Sequence, residues 1–373
     1  MLASATTPRP TLSLPRHFLP SPTSPIANPI QETIRFKRDL SCSTNPAVLS
    51  SRDDLSVAFH RTGDVQVSGK EMGGERGGKR RRVFFVDVNS IYYKGAVPSL
   101  RAFADWISMF LDRISLKDPV IAVIDGERGS EYRRQLLPSY KAHRNKYSPA
   151  RYVRAPVPVE KTHRFIINFL RECNLPVVKV EGHEADDVVA TLVTQVLERR
   201  LKVVIASRDK DFKQLISEDV QLAIPMENLG RWSFYTMKHY LAQYECDPGS
   251  DLSLRCIIGD EADGVSGIQT FVPAFGRNTA LKLLKKHGSL ENLLKTAAVR
   301  TVGKPYAQDA LIKYADHLWK NYQVLSLKRD IDVHLQDEWL LERETCNDSY
   351  AVSNLYGMLG GRENPNDRWT YQR

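Results

Sequence analysis

Residues 183–211 read HEADDVVATLVTQVLERRLKVVIASRDKD, and this stretch holds the repeating unit of the fold. Ala185, Val188, Val189, Leu192, Val193 and Val196 recur at the spacing of one helical face, which predicts an amphipathic helix. The β-branched run KVVIAS that follows (202–207) predicts a buried strand. Working outward, VFFVDV (83–88) and PVIAVID (119–125) read as two more buried strands, with the amphipathic LRAFADWISMFLDRI (100–114) between them. Strand–helix alternation of this kind gives a parallel α/β sheet.

The same strands end in acid. Asp87 closes FFVDV, Asp125 closes VIAVID, and Asp209 and Asp211 follow KVVIAS. Glu184, Asp186 and Asp187 open the helix, and Asp260 and Asp263 stand in IIGDEADGVSGI (257–268). Each group alone has an ordinary explanation. Acids suit the positive end of a helix, Asp125-Gly126 is a common turn pair, and two aspartates past a strand make a turn. Their succession is what counts, because the C-terminal ends of parallel strands are where ligands gather. Two carboxylates about 4 Å apart repel by roughly 4 kcal/mol at an effective dielectric near 20. Several such pairs rival a whole folding stability of roughly 5–15 kcal/mol. Converging acids must be protonated or neutralised by multivalent cations. All-oxygen ligands select hard ions, Mg²⁺ or Mn²⁺.

Composition sets the frame. The 373 residues have room for two domains, or for one large one with appendages. No apolar run approaches the length of a membrane span, so no membrane partner is expected. The five cysteines (Cys42, Cys173, Cys246, Cys256, Cys346) follow no metal-ligand spacing and read as free thiols. Of the net charge of +9, residues 1–82 carry +6, so local patches must support any nucleic-acid argument. Residues 126–164 do: 10 Lys/Arg stand against 3 Asp/Glu, interleaved with Tyr132, Tyr140, Tyr147 and Tyr152. Basic residues among aromatics suit phosphate contact and base stacking.

The first thirty-one residues contain no acid and are rich in Ser, Thr, Pro and Ala. This is the profile of an organelle transit peptide. Frequent proline fits an amphipathic mitochondrial leader poorly, so the chloroplast is expected ahead of the mitochondrion. Residues 32–82 read as linker. GGERGGKR (73–80) has Arg80 where a phosphate-binding loop needs Ser or Thr, and no strand precedes it.

Together, FFVDVNSIYY, VIAVIDGE…YRRQLLPSYKAHR, GHEADDVVATL, VVIASRDKDFKQL and GDEADGVSGI resemble the 5′-nuclease domain of bacterial DNA polymerase I. Free-standing phage and flap-endonuclease relatives are similar too. The resemblance runs from about Val83 to Leu335. It implies a PIN-like parallel-sheet nuclease core with a helical arch (83–245) and a helical helix-three-turn-helix DNA-binding domain (246–345), with 346–373 as a tail. It further implies a stand-alone, monomeric 5′→3′ exonuclease and flap endonuclease that holds two Mg²⁺. Asp87, Asp125, Glu184, Asp186 and Asp187 would hold the first ion, and Asp209, Asp211, Asp260 and Asp263 would surround the second. One ion would supply hydroxide and the other would stabilise the departing 3′ oxygen. Lys141 and Arg144 match a basic pair at the scissile phosphate, Tyr140 an aromatic that stacks on a base, and Arg133 a further DNA contact. The expected partners are DNA 5′ ends, flaps and nicks, RNA primers among them, and an organellar DNA polymerase.

One departure stands out. The family's duplex-holding hairpin is compact, whereas GIQTFVPAFGRNTALKLLKKHG (267–288) carries about seven extra residues, Gln269 to Phe275. Phe271 and Phe275 there read either as packing on their own domain or as an apolar wedge against a DNA end. The duplex contacts expected are Gly267, Gly276, Thr279, Lys282 and Lys285. A PIN-type ribonuclease and an inactive DNA-binding scaffold are the alternative readings.

Overall fold

Alternation along the strands decides which helix covers which face. Phe84 and Val86 of β1 (Arg82–Asp87) point to one side and Val83 and Phe85 to the other, all of them buried. In the computed structural model, β1 lies inside a six-stranded sheet with β2 (Val120–Ile124), β3 (Val177–Lys179), β4 (Lys202–Ala206), β5 (Val220–Met226) and β6 (Arg231–Tyr235), ordered β3-β2-β1-β4-β5-β6. The first five run parallel and β6 pairs antiparallel with β5. The structure describes residues 81–94, 97–142 and 159–360. All of them belong to one compact unit, Gly74–Arg373. The leader expected over 1–31, most of the linker, and Arg144 with the crown of the expected arch lie outside the described residues.

Helices cover both faces, as a parallel sheet requires. On one side Phe103, Ile107 and Phe110 of α2 (Leu100–Phe110) and Ile166, Phe169 and Leu170 of α4 (Val159–Glu172) pack on Phe84, Val86, Ala122 and Ile124. The short α1 (Val88–Tyr92) follows β1 directly, and α3 (Glu131–Leu136) follows β2 and packs on Ala315–Leu325. On the other side α5 (Ala185–Glu198) buries the apolar face read from the sequence against Val83, Phe85, Ile121, Val203 and Ile205. The sheet therefore presents the C-terminal ends of β1, β2 and β4 at one edge, each followed by acid.

A second, helical core follows. It packs α6 (Met237–Tyr244), α7 (Asp251–Ile258), α8 (Arg277–His287), α9 (Leu290–Val299), α10 (Pro305–Lys313) and α11 (Ala315–Leu325) around Leu254, Ile257, Leu283, Leu293 and Leu318. Between α7 and α8 the chain turns through a two-residue antiparallel pairing, Gly259–Asp260 with Val265–Ser266. The wedge reading of the extra residues fails for Phe275, which is 1% exposed inside this core. Phe271 is exposed, but it stacks on Tyr314 with ring centroids 4.6 Å apart.

The stretch read as a tail contains α12 (Asp348–Met358), packed on α2 and α4. Arg343 fastens it: its guanidinium forks onto Asp348 at 2.7 and 2.8 Å and donates to the carbonyls of Cys173 and Leu116. Leu355 is fully buried beside Ala351. Leu355→Ala is therefore expected to lower stability by roughly 2–5 kcal/mol, read as a drop in the urea midpoint. An unchanged midpoint would mean that the helix does not pack there.

Candidate metal centre at the sheet edge

Asp87 ends β1, and its carboxylate accepts from the Ser207 hydroxyl at 2.7 Å and from the Ser90 amide at 3.3 Å. Asp125, just past β2, accepts the Ala185 amide at 2.7 Å, which ties the strand end to the first turn of α5. Its other oxygen accepts from the Asn89 amide. Burial, and then the charge of Asp125, push Asp87 up to about 6. Asp186, also buried, is raised well above the usual carboxylate range, first by burial and then by Asp187 and Glu184, with Arg133 opposing. These acids are held where losing a proton is costly without a further cation.

Glu184 and Asp187 are placed differently. Arg133 reaches in from α3, 1% exposed, pairs with Glu184 and meets Asp187 at 2.6 Å and Asp186 at 3.7 Å. Lys141 Nζ lies 2.5 Å from Glu184, and the Tyr140 hydroxyl donates to the same carboxylate at 3.0 Å. Burial would raise Glu184, but Lys141 and Arg133 outweigh it and hold it below its ordinary value. Asp187 also accepts the Lys328 amide at 2.9 Å, which pins the chain after α11 to the site. Two expectations are corrected here. Tyr140 is 1% exposed, so no ring face is available to a base, and Arg133 is spent on carboxylates rather than on DNA. A basic run does not reveal which of its members points inward.

The second group comes from three elements. One oxygen each of Asp211, Asp260 and Asp263, all buried, lie within 4.8 Å of one another. Asp209, half-buried beside them, accepts the Asp211 amide at 2.9 Å. The turn that carries Asp260 and Asp263 closes on two glycines. Gly259 has φ +80, and a Cβ there would come within 2.3 Å of the Gly267 nitrogen; a Cβ on Gly267 would lie 2.1 Å from the Ile258 carbonyl oxygen. Gly267, expected at the DNA, is thus buried in the frame of the acids. Arg255 of α7 donates from one nitrogen to Asp211 at 2.7 Å and to Asp260 at 2.6 Å. Burial and Asp209 push Asp211 up to about 7. Asp260 is held low, against its burial, by Lys210 and Arg255.

Hydrogen bonds join the two groups. The Ser207 hydroxyl, which donates to Asp87, accepts the Asp209 amide at 2.9 Å. The Lys141 amide donates to the Asp263 carbonyl at 2.9 Å while its ammonium holds Glu184. The acids linked in this way outnumber the basic side chains paired with them, Arg133, Lys141, Lys210 and Arg255, and among the described residues Asp211, Asp260 and Asp263 bring their oxygens within 4.8 Å of one another. Clustered carboxylate oxygens with raised proton affinity fit hard divalent cations. Gly276, Thr279, Lys282 and Lys285 lie at the start and along the exposed side of α8; Lys282 is exposed and Lys285 pairs with Glu245 at 2.6 Å. Asn89, Ser207, Lys210 and Arg255 join the site although the sequence reading did not single them out. The first three lie within two residues of a predicted acid, which is the signal that would have found them.

Two outcomes test this arrangement. Arg133→Met leaves the buried Asp187 without its cation and should cost roughly 3–5 kcal/mol in chemical denaturation; a neutral effect would show that the pairing carries no weight. Asp87 and Asp211 keep protons in the ion-free folded chain up to about pH 6 and 7, whereas a free aspartic acid ionises near 4. Their contribution to stability is complete below about pH 4 and is lost as pH rises through 6 to 7. The rise in Tm on adding Mg²⁺ should therefore be larger at pH 8 than at pH 5.5. A rise that is equal at both would contradict the shifts.

The family model for the 5′-3′ exonuclease N-terminal resolvase-like domain matches residues 81–245. A 5′-3′ exonuclease of Aquifex aeolicus is 27% identical over 69% of this chain and 86% of its own. Bacillus subtilis DNA polymerase I is 24% identical over 69% of this chain, which spans only 29% of that polymerase. Among solved structures, the T5 5′-exonuclease with bound zinc ions superposes with a TM-score of 0.51 at 18% identity, covering 74% of this chain and 99% of the phage protein; that likeness is one of fold. The match to the 5′-3′ exonuclease model thus covers residues 81–245, the part of the chain that carries the six-stranded sheet.

Proposed function

We propose that this protein is a metal-dependent 5′→3′ exonuclease and 5′-flap endonuclease that hydrolyses DNA phosphodiesters with two Mg²⁺, in the upkeep of an organellar genome. The observation that supports the reading is the buried trio Asp211, Asp260 and Asp263, linked by hydrogen bonds through Asp209, Ser207 and Lys141 to Asp87 and Glu184. Asp87, Asp125 and Asp186 would hold one ion, and Asp211, Asp260 and Asp263 the other. When bound, such a pair supplies an activated water and charge stabilisation for an in-line displacement. The chain's own groups do the rest. Glu184 and Asp187, tied to Arg133, fix the first turn of α5, so that Asp186 and the Ala185 amide keep their places. Lys141, held between Glu184 and Asp263, sets a positive charge where a phosphoryl oxygen must enter. The exposed basic residues of α8, Arg277 at its start and Lys282 at its middle, suit the phosphates of the duplex. The nuclease portion is assigned to 83–245 and the duplex-holding portion to 246–345. The acid-free composition of residues 1–31 supports a chloroplast address.

A 5′-labelled flap substrate tests the reading, with matched RNA and blunt duplex alongside. Cleavage of the flap should need Mg²⁺, stop in EDTA, and fall below about 1% in Asp186→Ala, the scale of losing one preorganised charge. Lys141→Ala should cost about 10²–10³ in kcat for the same reason. Cutting confined to single-stranded RNA would make the chain a ribonuclease. Binding without cutting would make it a scaffold.

A further inference from the structure

Lys210 stands between Asp209 and Asp211, yet its ammonium turns to Asp260, fifty residues away, at 2.5 Å. The two ends of this pair differ sharply: the Lys210 side chain is 47% exposed and that of Asp260 is 1% exposed. Arg255 holds the other Asp260 oxygen and one oxygen of Asp211, and at 8% exposure it is part of the frame. The Asp260 oxygen that Arg255 leaves open to the pocket is thus the one that Lys210 occupies.

A divalent ion shared by Asp211, Asp260 and Asp263 needs bonds to carboxylate oxygens of about 2.0–2.1 Å if it is Mg²⁺. The ammonium already sits within hydrogen-bond reach of one of those oxygens. A doubly charged ion and an ammonium on the same oxygen repel strongly. Of the two cations on Asp260, only Lys210 has a flexible stem that opens to solvent. Arg255 has no such exit, and its second carboxylate, Asp211, holds it from the other side.

We propose that Lys210 is an exchangeable counter-ion of this acidic cluster. Its ammonium neutralises Asp260 in the ion-free protein and leaves when a divalent cation takes Asp211, Asp260 and Asp263. The inference rests on the reading of that cluster as a cation site, and it adds the residue that guards it. The consequence is a site that stays folded and compensated without its ion and that gives up one ion pair when the ion enters.

Amine acetylation of the full-length protein, followed residue by residue by mass spectrometry, tests this. Mg²⁺ at matched ionic strength should speed acetylation of Lys210 by about two- to fivefold, the equilibrium weight of a half-exposed ion pair, and leave the exposed Lys282 unchanged. Lys210→Met should tighten Mn²⁺ binding, measured calorimetrically, by a similar factor, whereas Lys213→Met, equal in charge but not on Asp260, should not. If Mg²⁺ raises Tm while Lys210 labelling stays constant or slows, the exchange is wrong and the cation site stands. If Mg²⁺ neither raises Tm nor alters labelling, and Asp260→Asn behaves as the parent does, the cation site fails and takes the exchange with it.

Discussion

Carboxylates brought together at the mouth of a parallel sheet repel one another, and the rest of this structure is arranged around that repulsion. The sheet cannot avoid it, since β1, β2 and β4 run in the same direction and deliver Asp87, Asp125 and Asp209 to one edge. The helix after β3 adds three acids at its first turn, and the turn between α7 and α8 adds two. Two buried arginines answer part of the charge. Arg133 binds Glu184 and Asp187 from one side, and Arg255 binds Asp211 and Asp260 from the other. Each also joins segments far apart in sequence, so electrostatic compensation and tertiary assembly are the same contacts. The charge left over is stored as raised proton affinity on Asp87, Asp186, Asp187 and Asp211.

This division separates framework from reacting surface. Glu184 and Asp187 are held by Arg133, Tyr140, Lys141 and the Lys328 amide, which makes them supports of the first turn of α5. Asp87, Asp125 and Asp186 carry hydrogen bonds mainly from hydroxyl and amide groups, so their charge faces the pocket. The glycine pair Gly259 and Gly267 acts through sterics rather than charge. It lets two backbones approach closely enough to set Asp260 against Val265.

Much of this was legible in the sequence, and the failures have physical causes. The buried strands 83–87, 120–124 and 202–206 announce themselves because both faces are apolar, and the acids at their ends follow from sheet direction. The three other strands are less visible: β3 has three residues, and β5 carries Pro225 opposite Trp232 of the antiparallel β6. Arg133 and Tyr140 lie in a basic, aromatic stretch that resembles a DNA-contacting surface, and only tertiary packing turns them inward. Arg255 sits on a helix with no acid next to it in sequence except Asp251, so its link to Asp211 across forty-four residues has no local sign. The helix α12 does leave a trace, Ala351, Leu355 and Leu359 at four-residue spacing, but the glycines at 357 and 360 interrupt it.

The account depends on the pocket being a place for ions, and anomalous diffraction from crystals grown with Mn²⁺ tests that most directly. It predicts strong anomalous peaks within bonding distance of Asp87 and Asp186 and among Asp211, Asp260 and Asp263. Manganese found only elsewhere on the protein, with these carboxylates bridged by protons or lysines, would contradict it.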